Sequence, residues 1–188
     1  WKNQDLTEID AMHAITSDGK EHAVLAVMSC GFDSRVNANS AKMTYLKGTF
    51  RYIAAMLKTL TRFSPIDYHV KIDGVEKKFS AMLIAFGNGS MFGGGMKVCP
   101  AADIKDGVLD YIVVNEISIP TLLGVFPKVF TGNHVEHPKV DEARAKSVWL
   151  HAPGEQIWGD GEYLGEVSTL RVVVRPGLLS VVRQPAAA

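Results

Sequence analysis

Asp-Gly occurs four times in this chain, as Asp18-Gly19, Asp73-Gly74, Asp106-Gly107 and Asp160-Gly161. Three of the four stand between apolar, β-branched runs: 9–15 and 23–28, 68–72 and 79–86, 156–158 and 163–164. A two-residue type I′ hairpin needs positive φ at both central residues, and Asp-Gly is a pair that tolerates it. Further strand-like runs cover 109–114, 147–151, 170–174 and 178–182, rich in residues whose branched side chains suit a pleated surface. A chain with so many tight antiparallel turns is bound to be mostly β. No strand–helix–strand alternation is visible, which disfavours a doubly wound parallel sheet.

Two segments carry helical periodicity. In 41–62 the apolar residues Met43, Leu46, Phe50, Ile53, Leu57 and Leu60 recur every three or four positions, which puts one stripe on one helix face. Asn39 or Ser40 stands where a cap would, and Ser64-Pro65 follows its end. The segment 120–131 opens on Pro120 and is followed by Gly132, while Pro127 inside it implies a kink or two short helices. The expected class is therefore α+β, mainly β: an antiparallel β-sandwich formed by residues 1–183 with two helical segments packed on it. Residues 184–188 read as a disordered tail.

With 188 residues, 47% apolar and 21% charged, the chain has material for one real core. Lys plus Arg and Asp plus Glu are both 20, so no net charge draws it toward a polyanion, and nucleic acid is not an expected partner. No apolar run approaches the ~20 residues that span a bilayer, and no basic-then-apolar leader opens the sequence. The opening Trp1 to Asp5 reads as the interior of a longer protein or the start of a processed one. Cys30 and Cys99 are the two cysteines; one disulfide is conceivable, but so few fit a reducing cytosol.

The segment 86–96 holds five glycines in nine residues after a strand. It lacks the P-loop pattern and leads into no helix, which leaves a flexible loop or the edge of a functional cleft. Asp103 and Asp106 precede a glycine turn. Two hard carboxylates and a backbone carbonyl suit Mg²⁺ or Ca²⁺, although the same spacing serves a plain solvated turn. Asp160 and Glu162 lie two apart on a hairpin between Trp158 and Tyr163, where one could be a general base toward a hydroxyl or Asp160 could serve only the turn. His134 and His137 lack companion ligands for zinc and read as surface histidines. His13, His22, His69 and His151 fall in strand-like runs and read as structural. No Gly-x-Ser-x-Gly elbow marks a hydrolase.

Taken in order, these segments resemble the C-terminal domain of the diacylglycerol kinase-type lipid kinases, the group that also holds sphingosine kinases. The resemblance runs through Gly31-Phe32-Asp33, Asn88 with Gly93-Gly94-Gly95-Met96, Pro100-x-Ala102, Asp106-Gly107-x-Leu109-Asp110, Gly132-x-His134 and Asp160-Gly161-Glu162. It implies a β-sandwich, in agreement with the hairpins. It implies that Asp160, with Glu162 close by, is the base for the lipid hydroxyl. It implies that Asp103, Asp106 and the Val108 carbonyl hold a structural Mg²⁺, and that Asn88, Gly93 and Gly94 belong to the cofactor-binding side of the cleft. The family's Gly-Gly-Asp-Gly-Thr nucleotide motif is missing, so an N-terminal ATP-binding domain is expected outside this chain and would be its partner.

The resulting expectation is the C-terminal half of an ATP- and Mg²⁺-dependent lipid kinase that phosphorylates a diacylglycerol-like lipid, cytoplasmic and peripherally membrane-associated, with a homodimer left open. Two rivals stand beside it: a kinase for a sphingoid base or other lipid alcohol, and a non-catalytic β-sandwich binding module.

Overall fold

The computed structural model describes residues 6–41, 55, 58–59, 64–92 and 94–182. The stripe from Met43 to Leu60, Gly93 and the tail 184–188 lie outside the described residues. Nine strands are present among the described residues: β1 (Leu6–Thr16), β2 (Glu21–Val24), β3 (Val27–Gly31), β4 (Ile66–Ile72), β5 (Val75–Gly87), β6 (Leu109–Asn115), β7 (Val140–Ala145), β8 (Ser147–Gly159) and β9 (Glu162–Val182). Helix α1 (Phe32–Ala41) follows β3. Helix α2 (Ile119–Val125) and two 3₁₀ turns, Phe126–Phe130 and Asn133–Glu136, lie between β6 and β7.

All strand pairs are antiparallel and follow one hydrogen-bonded path, β2-β1-β9-β8-β3-β5-β6-β7. β4 also lies between β5 and β8, so β3 and β4 fill the same gap from opposite ends. Strands remote along this path share one core. Met12 of β1, Met28 of β3, Phe86 of β5, Leu109 of β6, Leu150 of β8 and Leu170 of β9 form a single buried cluster. The sheet therefore folds over itself as a sandwich, and each large apolar side chain sealed there contributes about 1.5–3 kcal/mol. β6 is buried on both faces: Leu109, Tyr111 and Val113 enter the main core, while Ile112 and Val114 join Val125 and Val140 in a second one beneath α2.

Two Asp-Gly hairpins form as their turn chemistry requires, with φ of 45° and 90° at Asp73-Gly74 and 50° and 88° at Asp160-Gly161. The first differs. Only Gly19 has positive φ, at 78°, and Thr16 N–H donates to the Lys20 carbonyl (3.0 Å) across a three-residue loop. The Asp18 carboxylate accepts from the Thr16 hydroxyl (2.5 Å) and more weakly from Lys20 N–H (3.4 Å), which favours an ordinary turn with one left-handed glycine over type I′. Asp106-Gly107 makes no hairpin and leads into β6.

The expected cap at Asn39 or Ser40 is corrected: both lie inside α1, which begins directly at Phe32. Gly31 makes that abrupt exit possible. Its φ is 111°, and a Cβ there would meet the Tyr68 hydroxyl and, at 2.7 Å, the Met82 carbonyl. Asn39 instead donates to Thr59 Oγ1 (2.8 Å), and the Thr59 hydroxyl donates to the Ala55 carbonyl (2.7 Å). Pro127 splits the 120–131 segment as its missing N–H demands, into α2 and the Phe126–Phe130 turn. Ser118 caps α2 by accepting from Thr121 N–H. Cys30 and Cys99 are free, buried and in different cores, so no disulfide forms. Burial pushes the Cys30 thiol up to about 12 and Cys99 higher still. No described helix is long and apolar enough to cross a membrane.

Candidate active site

Asp160 sits in the β8–β9 turn, so the alternation of a strand does not relate it to Glu162. Its Oδ2 accepts from Leu25 N–H (2.6 Å), and its Oδ1 accepts from Ala26 N–H (2.9 Å) and Val27 N–H (3.1 Å). Its own N–H donates to the Val27 carbonyl (2.9 Å). The carboxylate is thus an anchor for the link between β2 and β3, with lone pairs on both oxygens already engaged. Glu162 opens β9 opposite Gly159. It is exposed, and its carboxylate has no hydrogen bond or ion pair among the described residues.

The anchored link leads to Asn88. The Ala26 carbonyl accepts from Asn88 N–H (2.9 Å) and Gly89 N–H (3.0 Å), and the Asn88 side-chain amide donates to the Leu25 carbonyl (3.0 Å) and the Asp10 carbonyl (2.9 Å). Asn88 is 1% exposed, and its Oδ1 accepts no hydrogen bond among the described residues. It therefore ties backbones together below the surface. Gly94, by contrast, stands at the surface. Phe92 and Met96 exchange backbone hydrogen bonds (2.8 and 3.0 Å) around it; its φ is 79°, and a Cβ would meet nothing within 4 Å.

Asp10 is the residue that sequence reasoning missed. Only 3% exposed, it accepts Gly107 N–H on Oδ2 and Gly177 N–H on Oδ1, both at 2.8 Å, while its own N–H donates to the Ile104 carbonyl at 2.7 Å. It fastens the Asp103–Val108 loop against Asn88. The β8–β9 hairpin, the 25–27 link, Asn88, Asp10 and the acidic loop are consequently one bonded series at one end of the sandwich.

In that loop Asp103 Oδ1 accepts from Lys105 N–H (3.0 Å), and Asp106 Oδ1 from Val108 N–H (3.1 Å). Arg144 braces the loop from β7, with its guanidinium 3.5 Å from Asp106, 3.2 Å from Asp110 and 3.2 Å from the Ala101 carbonyl. Burial, more than the adjoining Arg144 offsets, raises the Asp110 carboxyl. No three His, Cys, Asp or Glu side chains cluster as a metal cage among the described residues. The two carboxylates and the Val108 carbonyl of this loop are hard oxygen donors of the kind Mg²⁺ takes; Asp103 keeps Oδ2 outside the bonds within the loop, whereas Oδ2 of Asp106 faces Arg144.

The histidine expectation is half corrected. His137 is half-buried and accepts from Lys139 N–H (3.2 Å). His134 is not a surface residue: it is 4% exposed, because the 3₁₀ turn begun by left-handed Gly132 (φ 88°) folds it under the α2 layer. There it helps line an apolar cavity of about 90 Å³ between α2 and the outer face of β5–β7, with Leu83, Ile112, Leu122 and Phe126 among the walls. Burial lowers its pKa below 6.5, against smaller opposing effects of the Val98 and Gly132 backbone. The unfolded chain therefore takes up this proton first. Stability is full above the unfolded pKa and falls as pH drops through it. The thermal midpoint should fall between about pH 7.5 and pH 5, and His134→Gln should flatten that slope; an unchanged slope in the variant would assign it to other groups.

Similarity to known proteins follows the same segments. Residues 26–183 match the family described as the YegS C-terminal NAD kinase beta sandwich-like domain. A protein named "Diacylglycerol kinase" from Mycobacterium tuberculosis is 37% identical over 156 residues, covering 82% of this chain and 50% of the relative. A Pseudomonas aeruginosa protein named "Probable lipid kinase YegS-like" is 34% identical over 168 residues, covering 80% and 50%. The crystal structure of a diacylglycerol kinase from Bacillus anthracis str. Sterne superposes with a TM-score of 0.63 at 16% identity, over 98% of this chain and 56% of that one, a likeness of fold. The chain spans about half the length of the curated relatives it matches. By the extent of that match the chain belongs to the YegS C-terminal NAD kinase beta sandwich-like family, whose named relatives here are diacylglycerol and lipid kinases.

Proposed function

We propose that this chain is the acceptor half of an ATP- and Mg²⁺-dependent lipid kinase acting on the hydroxyl of a diacylglycerol-like lipid. The observation that carries the reading is the division of labour in Asp160-Gly161-Glu162. Asp160 is held by three backbone N–H groups, while Glu162, fixed to the same rigid hairpin, keeps an unbonded carboxylate. The base role expected of Asp160 therefore passes to Glu162, and Asp160 becomes its positioning residue. Glu162 takes the proton of the lipid hydroxyl as that oxygen bonds to the γ-phosphorus of ATP; the bond from that phosphorus to the β–γ bridging oxygen breaks, and ADP leaves. Such a transfer depends on placement and charge neutralisation more than on covalent chemistry.

Asp103, Asp106 and the Val108 carbonyl would hold Mg²⁺, which when bound neutralises and stiffens the acidic loop. Gly94, with its open approach, and Asn88, through the backbones it ties, shape the nucleotide side of the cleft. The cavity beneath α2 receives the apolar part of the lipid. The remaining half of the protein binds ATP, and the whole meets the membrane peripherally from the cytoplasm.

The reading is tested with dispersed diacylglycerol and labelled ATP. The two-domain protein should yield phosphatidic acid in a Mg²⁺-dependent manner, and the 188-residue chain should yield none above a mock preparation. Absence of lipid product from the two-domain protein, or full activity of the chain alone, would overturn it.

A further inference from the structure

Arg144 stands opposite Asp110 in the β6–β7 register and presents three nitrogen atoms to three different partners. Its Nε donates to Asp110 Oδ1 (3.2 Å), its Nη2 donates to the Ala101 carbonyl (3.2 Å), and its Nη1 lies 3.5 Å from Asp106 Oδ2. The two carboxylate contacts are unequal. The Asp110 side chain is 1% exposed and that of Asp106 is 24% exposed. A buried carboxylate stripped of its cation is costly, so the contact with Asp110 is the permanent one. The contact with Asp106 is the longest of the three and the more open to water, of the kind that adds little to stability.

Asp106 Oδ1 accepts from Val108 N–H (3.1 Å), so Oδ2 is the oxygen outside the loop's own bonds, and Oδ2 is where Nη1 points. A metal drawing on Asp106 therefore meets a cation already there. A guanidinium and a divalent ion crowded onto one carboxylate oxygen repel each other across a few ångströms. The loop backbone, meanwhile, is fastened without Arg144. Gly107 N–H donates to Asp10 Oδ2 (2.8 Å), and Asp10 N–H donates to the Ile104 carbonyl (2.7 Å). Its shape survives the departure of the guanidinium from Asp106.

We propose that Arg144 competes with Mg²⁺ for Asp106 Oδ2 and so sets how tightly the acidic loop takes the ion. The guanidinium pairs with that oxygen first, yields it to the metal, and keeps Asp110 and the Ala101 carbonyl throughout. This rests on the Mg²⁺ reading of the loop and adds a determinant of affinity to it. The role differs in sign from that of a mere brace. Removing a brace loosens the metal ligands and weakens binding, whereas removing a competitor strengthens it.

Mg²⁺ is titrated by calorimetry into the nucleotide-free two-domain protein, and the heat that Asp103→Ala abolishes belongs to the loop. Arg144→Gln alone leaves the Asp110 charge buried and unpaired. The variant to compare is therefore Arg144→Gln with Asp110→Asn, which removes one positive and one negative charge and keeps the local sum. At the loop it should bind Mg²⁺ about two- to fivefold more tightly than the parent, the worth of an exposed ion pair. Its thermal midpoint should also gain more from added Mg²⁺ than the parent's does. In the parent, followed by ¹⁵N NMR, saturating Mg²⁺ should shift the Arg144 Nη resonances and leave Nε bonded to Asp110. Equal or weaker Mg²⁺ binding in the double variant, or guanidinium resonances of the parent that do not respond to Mg²⁺, would overturn the inference and leave the metal reading intact. An isotherm that Asp103→Ala does not alter would overturn the metal reading and this inference together.

Discussion

Glu162→Gln in the two-domain protein should lower kcat by about 10²–10⁴-fold, the usual share of general-base catalysis, and leave the thermal midpoint unchanged. The midpoint is insensitive because the Glu162 carboxylate is exposed and bonds to nothing among the described residues, so the amide removes the base and no structural contact. Asp160→Asn should do the converse in part. One carboxylate oxygen becomes an NH₂ group facing backbone N–H donors 2.6–3.1 Å away, and stability should fall by about 1–3 kcal/mol. Activity then declines with the loosening of the hairpin. The two variants separate the roles cleanly. Parental kcat in Glu162→Gln, with a stable but inactive Asp160→Asn, would return the base to Asp160.

Asp10→Ala should be the most destabilising single change at this end of the molecule, by about 1–3 kcal/mol, since it removes the shared acceptor of two part-buried hydrogen bonds at once. Gly107 N–H and Gly177 N–H both end 2.8 Å from its carboxylate. The denaturation midpoint reports the loss at constant slope, and hydrogen exchange at Gly107 and Gly177 should accelerate more than exchange across the β8–β9 pair. A loss below about 1 kcal/mol would mean that water or a neighbouring group satisfies both donors. Exchange restricted to Gly177 would mean that the acidic loop is held by Arg144 instead.

What the sequence shows of all this follows the reach of each cause. Strand runs, two type I′ turns and the Pro127 break are local, and they appear where the residues place them. β6 reads as an apolar run interrupted by Asp110 alone before Asn115, because it separates two cores. Helix α1 was invisible: its buried large anchors are Phe32 and Val36 alone, too few for a period, and its start depends on the room Gly31 leaves beside Tyr68. The site was legible as a set of residue types and much less as a division of roles. Asp160 is distinguished from Glu162 by donors 133–135 positions away, and Asp10 acquires its function from glycines 97 and 167 positions away. No short window contains those pairs. The burial of His134 likewise depends on distant residues, among them Val98, 36 positions away, and Leu83 of β5.

The pairing of β1 with β9 has a consequence for how the protein is made. β1 acquires its β2 partner within a few residues, but its other edge waits for Leu170 to Val182, the last described stretch of the chain. On the ribosome, that edge is a row of unpaired N–H and C=O groups throughout the synthesis of everything between, at about 5–20 residues per second. Closing so long a loop is entropically costly, and contacts of this separation form slowly. The nascent sandwich thus passes several seconds as an open sheet able to capture a strand from a neighbouring polysome. Truncation or stalling before β9 leaves it in that state, which makes the final strand the one whose arrival turns an aggregation-prone intermediate into a closed domain.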